Sequence, residues 1–152
     1  MKSKSDNIAE YILYLWQMED YLRAFPQNAD ATQELHDLNE MMHREGIMEG
    51  GHLALATNAL NEVEELHAQI LDEDALYRAA LIRLRPALNL LKAKTDRPTM
   101  SDIEACFVLL YQIMMLRLQH REISPETADV QQRATQVLQF LSKAYYANSR
   151  AI

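Results

Sequence analysis

Residues 14–25, YLWQMEDYLRAF, place an acidic pair, Glu19 and Asp20, inside an aromatic and aliphatic stretch. A carboxylate in such surroundings can act as a general acid or base, bind a metal, or form an ion pair within the fold. At about 100° per residue, Glu19 falls inside the apolar arc of the predicted helix, whereas Asp20 falls at its edge. The pattern therefore predicts a buried Glu19 and a solvent-exposed Asp20.

The buried carboxylate of Glu19 needs a partner, because an unpaired charge in a core is strongly destabilising. Arg23, four residues further on, is one candidate. Arg117 is the other, since it falls on the apolar face of the fifth predicted helix. A planar guanidinium can hold a carboxylate by two hydrogen bonds. We predict a structural ion pair of Glu19 with Arg117 in preference to Arg23, which fixes how the first helix docks against the fifth.

The same part of the sequence allows a second interpretation, in which polar and aromatic residues converge in the core. The candidate ligand-binding residues are Trp16, Glu19, Arg117 and His67, and they would line a small-ligand or enzymatic pocket. His67 continues the apolar series of the third predicted helix, where a histidine is more often a hydrogen-bonded core residue than a ligand. We assign no catalytic residue.

Two Glu-x-x-His motifs, Glu40–His43 and Glu64–His67, have the spacing of di-iron helical bundles. They lie on consecutive predicted helices, and the carboxylate-bearing helix that normally separates such motifs is missing. His43 also shares a polar face with His36 and Glu40. We therefore expect no metal centre and no cofactor. The sequence contains no phosphate-binding loop, nucleophile elbow, paired-cysteine motif or dinucleotide fingerprint, which favours a protein that is not an enzyme.

The elements that must position these residues are helices. Glycine and proline are scarce, with three and four copies, and six segments have helical periodicity. The predicted N-caps are Ser5 or Asp6 for the first helix, Asp30 for the second, Ser101 for the fifth and Ser124 for the sixth. The third helix is predicted over about residues 52–71, and residues 72–74, DED, suit the start of the fourth.

The fourth predicted helix has the clearest apolar stripe, with a proline inside it. The stripe is Tyr77, Leu81, Leu84, Leu88 and Leu91. Pro86 is expected to kink this helix. All three glycines lie in residues 46–51, which predicts a flexible joint. Helices joined by short connectors predict an all-α, antiparallel bundle of about six helices in a single domain over residues 1–152.

Charge and composition limit the partners of the chain. The net charge is −7, which disfavours nucleic acid because phosphate binding needs a basic surface. Residues 1–75 carry 16 acidic and 4 basic side chains, whereas the remainder carries 6 and 11. This asymmetry allows attraction between the two halves or complementary subunit contacts. The longest apolar run, residues 105–118, is too short to span a membrane, and we do not expect residues 1–10 to act as a signal peptide. The lone Cys106 fits a reducing cytoplasm.

Three segments resemble a known family: NIAEYILYLWQMEDYLRA (residues 7–24), EISPET (residues 122–127) and LSKAYY (residues 141–146). Over the whole chain the sequence is similar to the Bacteroidetes family catalogued as domain of unknown function 4924. The resemblance implies an all-helical, cytoplasmic bacterial protein, and it brings no known activity or catalytic residue.

These observations favour a non-enzymatic helical bundle that acts through association, as a homodimer or with a protein partner, without nucleic acid or membrane. Aromatic residues outside the main apolar stripes support this, because aromatic residues are enriched at interfaces. They are Tyr14, Tyr21, Phe140 and Tyr146. The alternative is the pocket around Trp16, Glu19, Arg117 and His67.

Overall fold

A computed structural model describes residues 3–150 of the 152-residue chain. These residues form six α-helices and one short 3-10 helix, and no β-strand occurs among them. The α-helices are α1 (Ile8–Ala24), α2 (Gln33–Glu45), α3 (Ala54–Glu73), α4 (Ala75–Lys94), α5 (Asp102–Leu118) and α6 (Pro125–Ser149), and the 3-10 helix is Pro26–Asn28. The predicted all-α helical bundle is confirmed.

Short polar side chains cap the later helices, at Ser101 and Ser124 as predicted, and at Asp74 within the acidic segment predicted to suit the start of α4. The Asp74 carboxylate accepts hydrogen bonds from the first backbone N–H groups of α4. The hydroxyl of Ser101 accepts one from the backbone of Glu104, and that of Ser124 accepts one from the backbone of Thr127. These bonds satisfy N–H groups that have no partner inside a helix.

The two earlier caps differ from the prediction. Asn7, and neither Ser5 nor Asp6, caps α1 by accepting a hydrogen bond from the backbone of Glu10. Thr32 caps α2, and Asp30 instead bonds the Nδ1 of His36 at 2.8 Å. Several residues near the N-terminus of α1 and of α2 have side chains that can cap a helix. The residue that does so is the one that directly precedes the first helical residue.

The first of two compact units is Met1–Glu62, in which α1 packs against α2 and against the 3-10 helix. Its helices bury aliphatic side chains, which include Ile8, Ile12, Leu15, Leu22, Leu38 and Met42. Gly46 caps the C-terminus of α2, and its φ of +69° is a left-handed conformation that glycine adopts without strain. Residues 46–53 then connect α2 to α3.

The second compact unit is Val63–Ile152, in which α4, α5 and α6 pack against one another in all three pairs. The predicted stripe of α4 is buried over its whole length: Tyr77, Leu81, Leu84, Leu88 and Leu91. Pro86 lies inside α4, where it cannot donate a bond to the carbonyl of Ile82. The kink there stays a prediction, as does the single domain over residues 1–152. No helix within residues 3–150 combines the length and apolar character needed to cross a bilayer.

Candidate functional site

Glu19 is a charged residue buried in the first unit, with 1% of its surface exposed. Its Oε1 accepts a hydrogen bond from the Nδ1 of His52 at 2.7 Å, and its Oε2 accepts one from the backbone N–H of Leu53 at 2.7 Å. Because a carboxylate can only accept, the imidazole carries its proton on Nδ1. Leu53 immediately precedes α3, so the negative charge also lies at the positive end of that helix. These contacts offset the cost of burying Glu19.

Trp16 and His52 complete this group. Their rings stack with centroids 4.7 Å apart and planes 17° from parallel. Trp16 is buried, whereas the side chain of His52 is 47% exposed. The Nε2 of His52 takes no part in the bond to Glu19. A carboxylate that fixes an imidazole in this way can prepare it for proton transfer, but it can equally hold a loop in place.

Arg23 holds the same connector from the next turn of α1. Its guanidinium donates to the carbonyl of Ile47 through Nε (3.2 Å) and a terminal nitrogen (2.8 Å), and to the carbonyl of Gly51 at 2.6 Å. It also meets the exposed carboxylate of Asp20 at 3.2 Å. Glu19 and Arg23 together fix residues 47–53 along their main chain.

The burial of Glu19 and the exposure of Asp20 are confirmed, but the predicted partner of Glu19 is wrong. His52 and Leu53 occupy both carboxylate oxygens. Arg117 is exposed and donates to the side-chain oxygen of Gln131 at 2.8 Å. It lies in the last turn of α5, where a long basic side chain can reach solvent even from an apolar face.

His67, the fourth predicted ligand-binding residue, belongs to the second unit and bonds Tyr77. The His67 Nδ1 lies 2.6 Å from the Tyr77 hydroxyl, and the two rings meet edge to face. Burial lowers the pKa of His67, and Arg85 acts in the same direction, whereas the carboxylates of Glu64 and Asp102 oppose it. Burial raises the pKa of Tyr77. The structure therefore shows the hydrogen bond expected of this histidine, at a half-buried position.

Polar contacts continue beside His67 at the start of α5. The hydroxyl of Ser101 donates to the carboxylate of Glu64. Asp102 accepts from Lys92 at 2.7 Å and from Arg85 at 3.2 Å. Burial alone raises the pKa of Asp102, but the hydrogen bonds and charges of Lys92 and Arg85 outweigh it and hold that pKa below its ordinary value. Each charge in this cluster therefore has a partner within the unit.

The structure thus brings Trp16 and Glu19 together through His52, while His67 and Arg117 have their own partners in the second unit. The pocket lined by all four stays a prediction. Sequence reasoning missed His52 as a functional residue, and the signal available for it was a histidine at the predicted start of the third helix.

The Glu64–His67 motif supplies partners to other residues, since Glu64 bonds Ser101 and His67 bonds Tyr77. Among residues 3–150, a different group brings three potential metal ligands within 4.8 Å of one another: His36, Asp37 and Glu40. His36 already contacts Asp30 at 2.8 Å and Glu40 at 3.2 Å. Asp37 accepts a hydrogen bond from the side chain of Gln33 at 2.8 Å, so each of the three already has a partner.

A groove of about 420 Å³ opens on the second unit, and we name it the α4–α5–α6 groove. Its lining is mostly apolar and consists of Ala87, Leu90, Leu91 and Lys94 from α4, Leu109, Gln112, Ile113 and Leu116 from α5, and Glu126, Thr127 and Val130 from α6. Leu90 is 57% exposed. Such a surface can bind an apolar side chain of another molecule.

The aromatic residues predicted at an interface divide into two groups. Tyr14 donates to the carboxylate of Glu34, and the hydroxyl of Tyr21 accepts from Asn28. Phe140 packs edge to face on Tyr77. Tyr146, in contrast, is 40% exposed and lies under the guanidinium of Arg150 at 5.0 Å. All four thus contact a residue of their own unit, and Tyr146 differs from the other three in being exposed.

Comparison with known proteins identifies the family of the chain. No curated protein and no solved structure matches it. The model of one family, described as Domain of unknown function (DUF4924), matches residues 1–35 and 26–151. These two matches overlap and together span nearly the whole sequence, so the chain belongs to the family of the domain of unknown function DUF4924.

Proposed function

We propose that this protein acts by association rather than by catalysis. It binds another protein chain through the α4–α5–α6 groove, most simply a second copy of itself. The observation that carries this proposal is the groove itself, where an apolar lining is open to solvent and Leu90 stands 57% exposed at its edge. Burying such a surface against another protein is favourable, because the complex is stabilised in proportion to the apolar area removed from water.

The polar groups of the chain support the same proposal. Glu19, His67 and Asp102 are the groups whose burial first suggests chemistry, and each has partners that account for its position. Perturbed groups of this kind occur in structural networks as well as in active sites. The positions of these three groups are therefore explained by hydrogen bonds and ion pairs within the fold, without a catalytic role.

We propose that this association takes place in a bacterial cytoplasm. The single cysteine, Cys106, is a free thiol with its side chain buried. Burial raises the pKa of that thiol, so the unreactive protonated form is favoured. A chain without a disulfide framework suits a reducing compartment.

Sedimentation velocity from low to high micromolar concentration tests the proposal. We expect the wild-type chain to sediment as a dimer whose fraction rises with concentration. Leu90→Arg should sediment as a monomer, because a charge at the edge of the groove must be desolvated when the groove is covered. Leu76→Arg is the matched control, since Leu76 is a leucine of the same helix, 73% exposed, and outside the groove.

Two results would overturn the proposal. One is a wild-type protein that remains monomeric and co-purifies with no other protein. The other is a dimer that survives Leu90→Arg but is lost in Leu76→Arg, because the contact would then lie elsewhere on α4.

A further inference from the structure

We infer that the occupant of the α4–α5–α6 groove is a second copy of this chain, related by a two-fold axis that places Lys94 of each copy against Glu126 of the other. The inference rests on the proposed function and adds the identity and symmetry of the partner.

A two-fold contact uses the same patch on both copies. That patch must therefore contain both a protruding side chain and a depression into which the same side chain of the other copy fits. The α4–α5–α6 groove has both features. Leu90 projects from its edge with 57% of its surface exposed, while the neighbouring Leu91 is 7% exposed. Under a two-fold axis, each Leu90 enters the groove of the other copy.

The charges of the groove are also self-complementary. Lys94 is the last residue of α4, and Glu126 lies in the first turn of α6. Both are exposed, and neither side chain forms a hydrogen bond or an ion pair with any of residues 3–150. A two-fold axis turns this one cation and one anion into two opposite-charge contacts.

The same charges argue against an unrelated partner with a surface of a single sign. An acidic partner would match Lys94 and repel Glu126, and a basic partner would do the reverse. A second copy satisfies both, because it brings one charge of each sign to the contact. Charge complementarity of this kind selects the partner and its register more than it adds affinity.

A charge exchange tests the inference with Lys94→Glu and Glu126→Lys, each purified separately. Either variant alone would face two like-charge contacts, so we expect its dimer dissociation constant to rise about 10- to 100-fold. In an equimolar mixture, one copy carries two acids and the other two bases. The mixed dimer should therefore form with a dissociation constant within roughly threefold of the wild-type value. Lys143→Glu, an exposed charge reversal on α6 outside the groove, is the control and should dimerise normally.

The outcomes separate the inference from the proposed function. If Lys94→Glu and Glu126→Lys both dimerise as the wild type does, or if their mixture stays monomeric, the two-fold arrangement is wrong. If Leu90→Arg still abolishes the dimer in that case, the groove remains the interface and only its symmetry fails. A wild-type protein that is monomeric overturns both. The far-ultraviolet circular dichroism spectra of the single variants should match that of the wild type, because both side chains are exposed and the fold of each copy does not depend on them.

Discussion

The Nδ1 of His52 lies 2.7 Å from the Oε1 of Glu19, so a half-exposed imidazole partners a buried carboxylate that precedes it by 33 residues. The other carboxylate oxygen accepts from the amide of Leu53 at 2.7 Å. The acidic residue within the aromatic helix α1 therefore has a clear physical role. It anchors the connector that leads into α3.

Removing Glu19 should be costly. Glu19→Ala leaves the buried amide of Leu53 without its acceptor and His52 without its carboxylate, so we expect a loss of about 2–4 kcal/mol in the free energy of unfolding. Asp20→Ala, which changes an exposed neighbour, should cost under about 1 kcal/mol. Arg117→Ala should be equally mild, since Arg117 is exposed. Urea unfolding measures all three. A double-mutant cycle of Glu19→Ala with His52→Ala should be non-additive, and additive losses would contradict the pairing.

Arg23 should stabilise the folded state through its hydrogen bonds to main-chain carbonyls of the connector. Arg23→Gln removes the charged donors to the carbonyls of Ile47 and Gly51, so we expect it to cost about 1–3 kcal/mol in urea unfolding. Arg23→Lys should recover only part of the loss, because a single ammonium group cannot reproduce the planar fork. Arg44→Gln, an exposed arginine near the end of α2, is the control. Equal small effects at both positions would show that the contacts to the connector are unimportant.

The stability of the protein should depend on pH through His67. Burial lowers the pKa of His67 in the folded state, and its ordinary value is about 6.5. Above that value the imidazole is neutral in both states, so its contribution is constant. As the pH falls through about 6.5 the unfolded chain takes up the proton first, and the folded state loses stability until its own lower pKa is passed. Urea midpoints between about pH 8 and pH 5 should fall more steeply for wild type than for His67→Gln, whereas His43→Gln, at an exposed position, should follow the wild type. Parallel wild-type and His67→Gln curves would contradict this.

The sequence predicts much of the fold because helix periodicity and caps are local signals. The stripe of α4 and the caps at Asp74, Ser101 and Ser124 depend on residues within one or two turns of each other. The burial of Glu19 was likewise predictable, because the position of a residue on a helix face follows from its spacing alone.

The partner of Glu19 was not predictable in the same way. A helical projection ranks only residues within helices, whereas His52 lies in the connector before α3, and the donating group of Leu53 is a backbone amide. The projection also placed Arg117 in the core, although the last turn of α5 lets that side chain reach solvent. Contacts between distant segments depend on packing that no local pattern records.

The connector between α2 and α3 is held by its backbone, and this decides which of its residues evolution can change freely. Arg23 binds the carbonyls of Ile47 and Gly51, and Glu19 binds the amide of Leu53, while His52 adds its side chain to this anchoring through its bond to Glu19. Gly46 and Gly51 have φ values of +69° and +92°, which penalise any L side chain there even where space exists. Gly50 has no positive φ, and no atom lies within 4 Å of the position that a Cβ would take there. Substitution should therefore be tolerated at Gly50 and should destabilise the connector at the other two glycines, because the course of its backbone requires a positive φ at both.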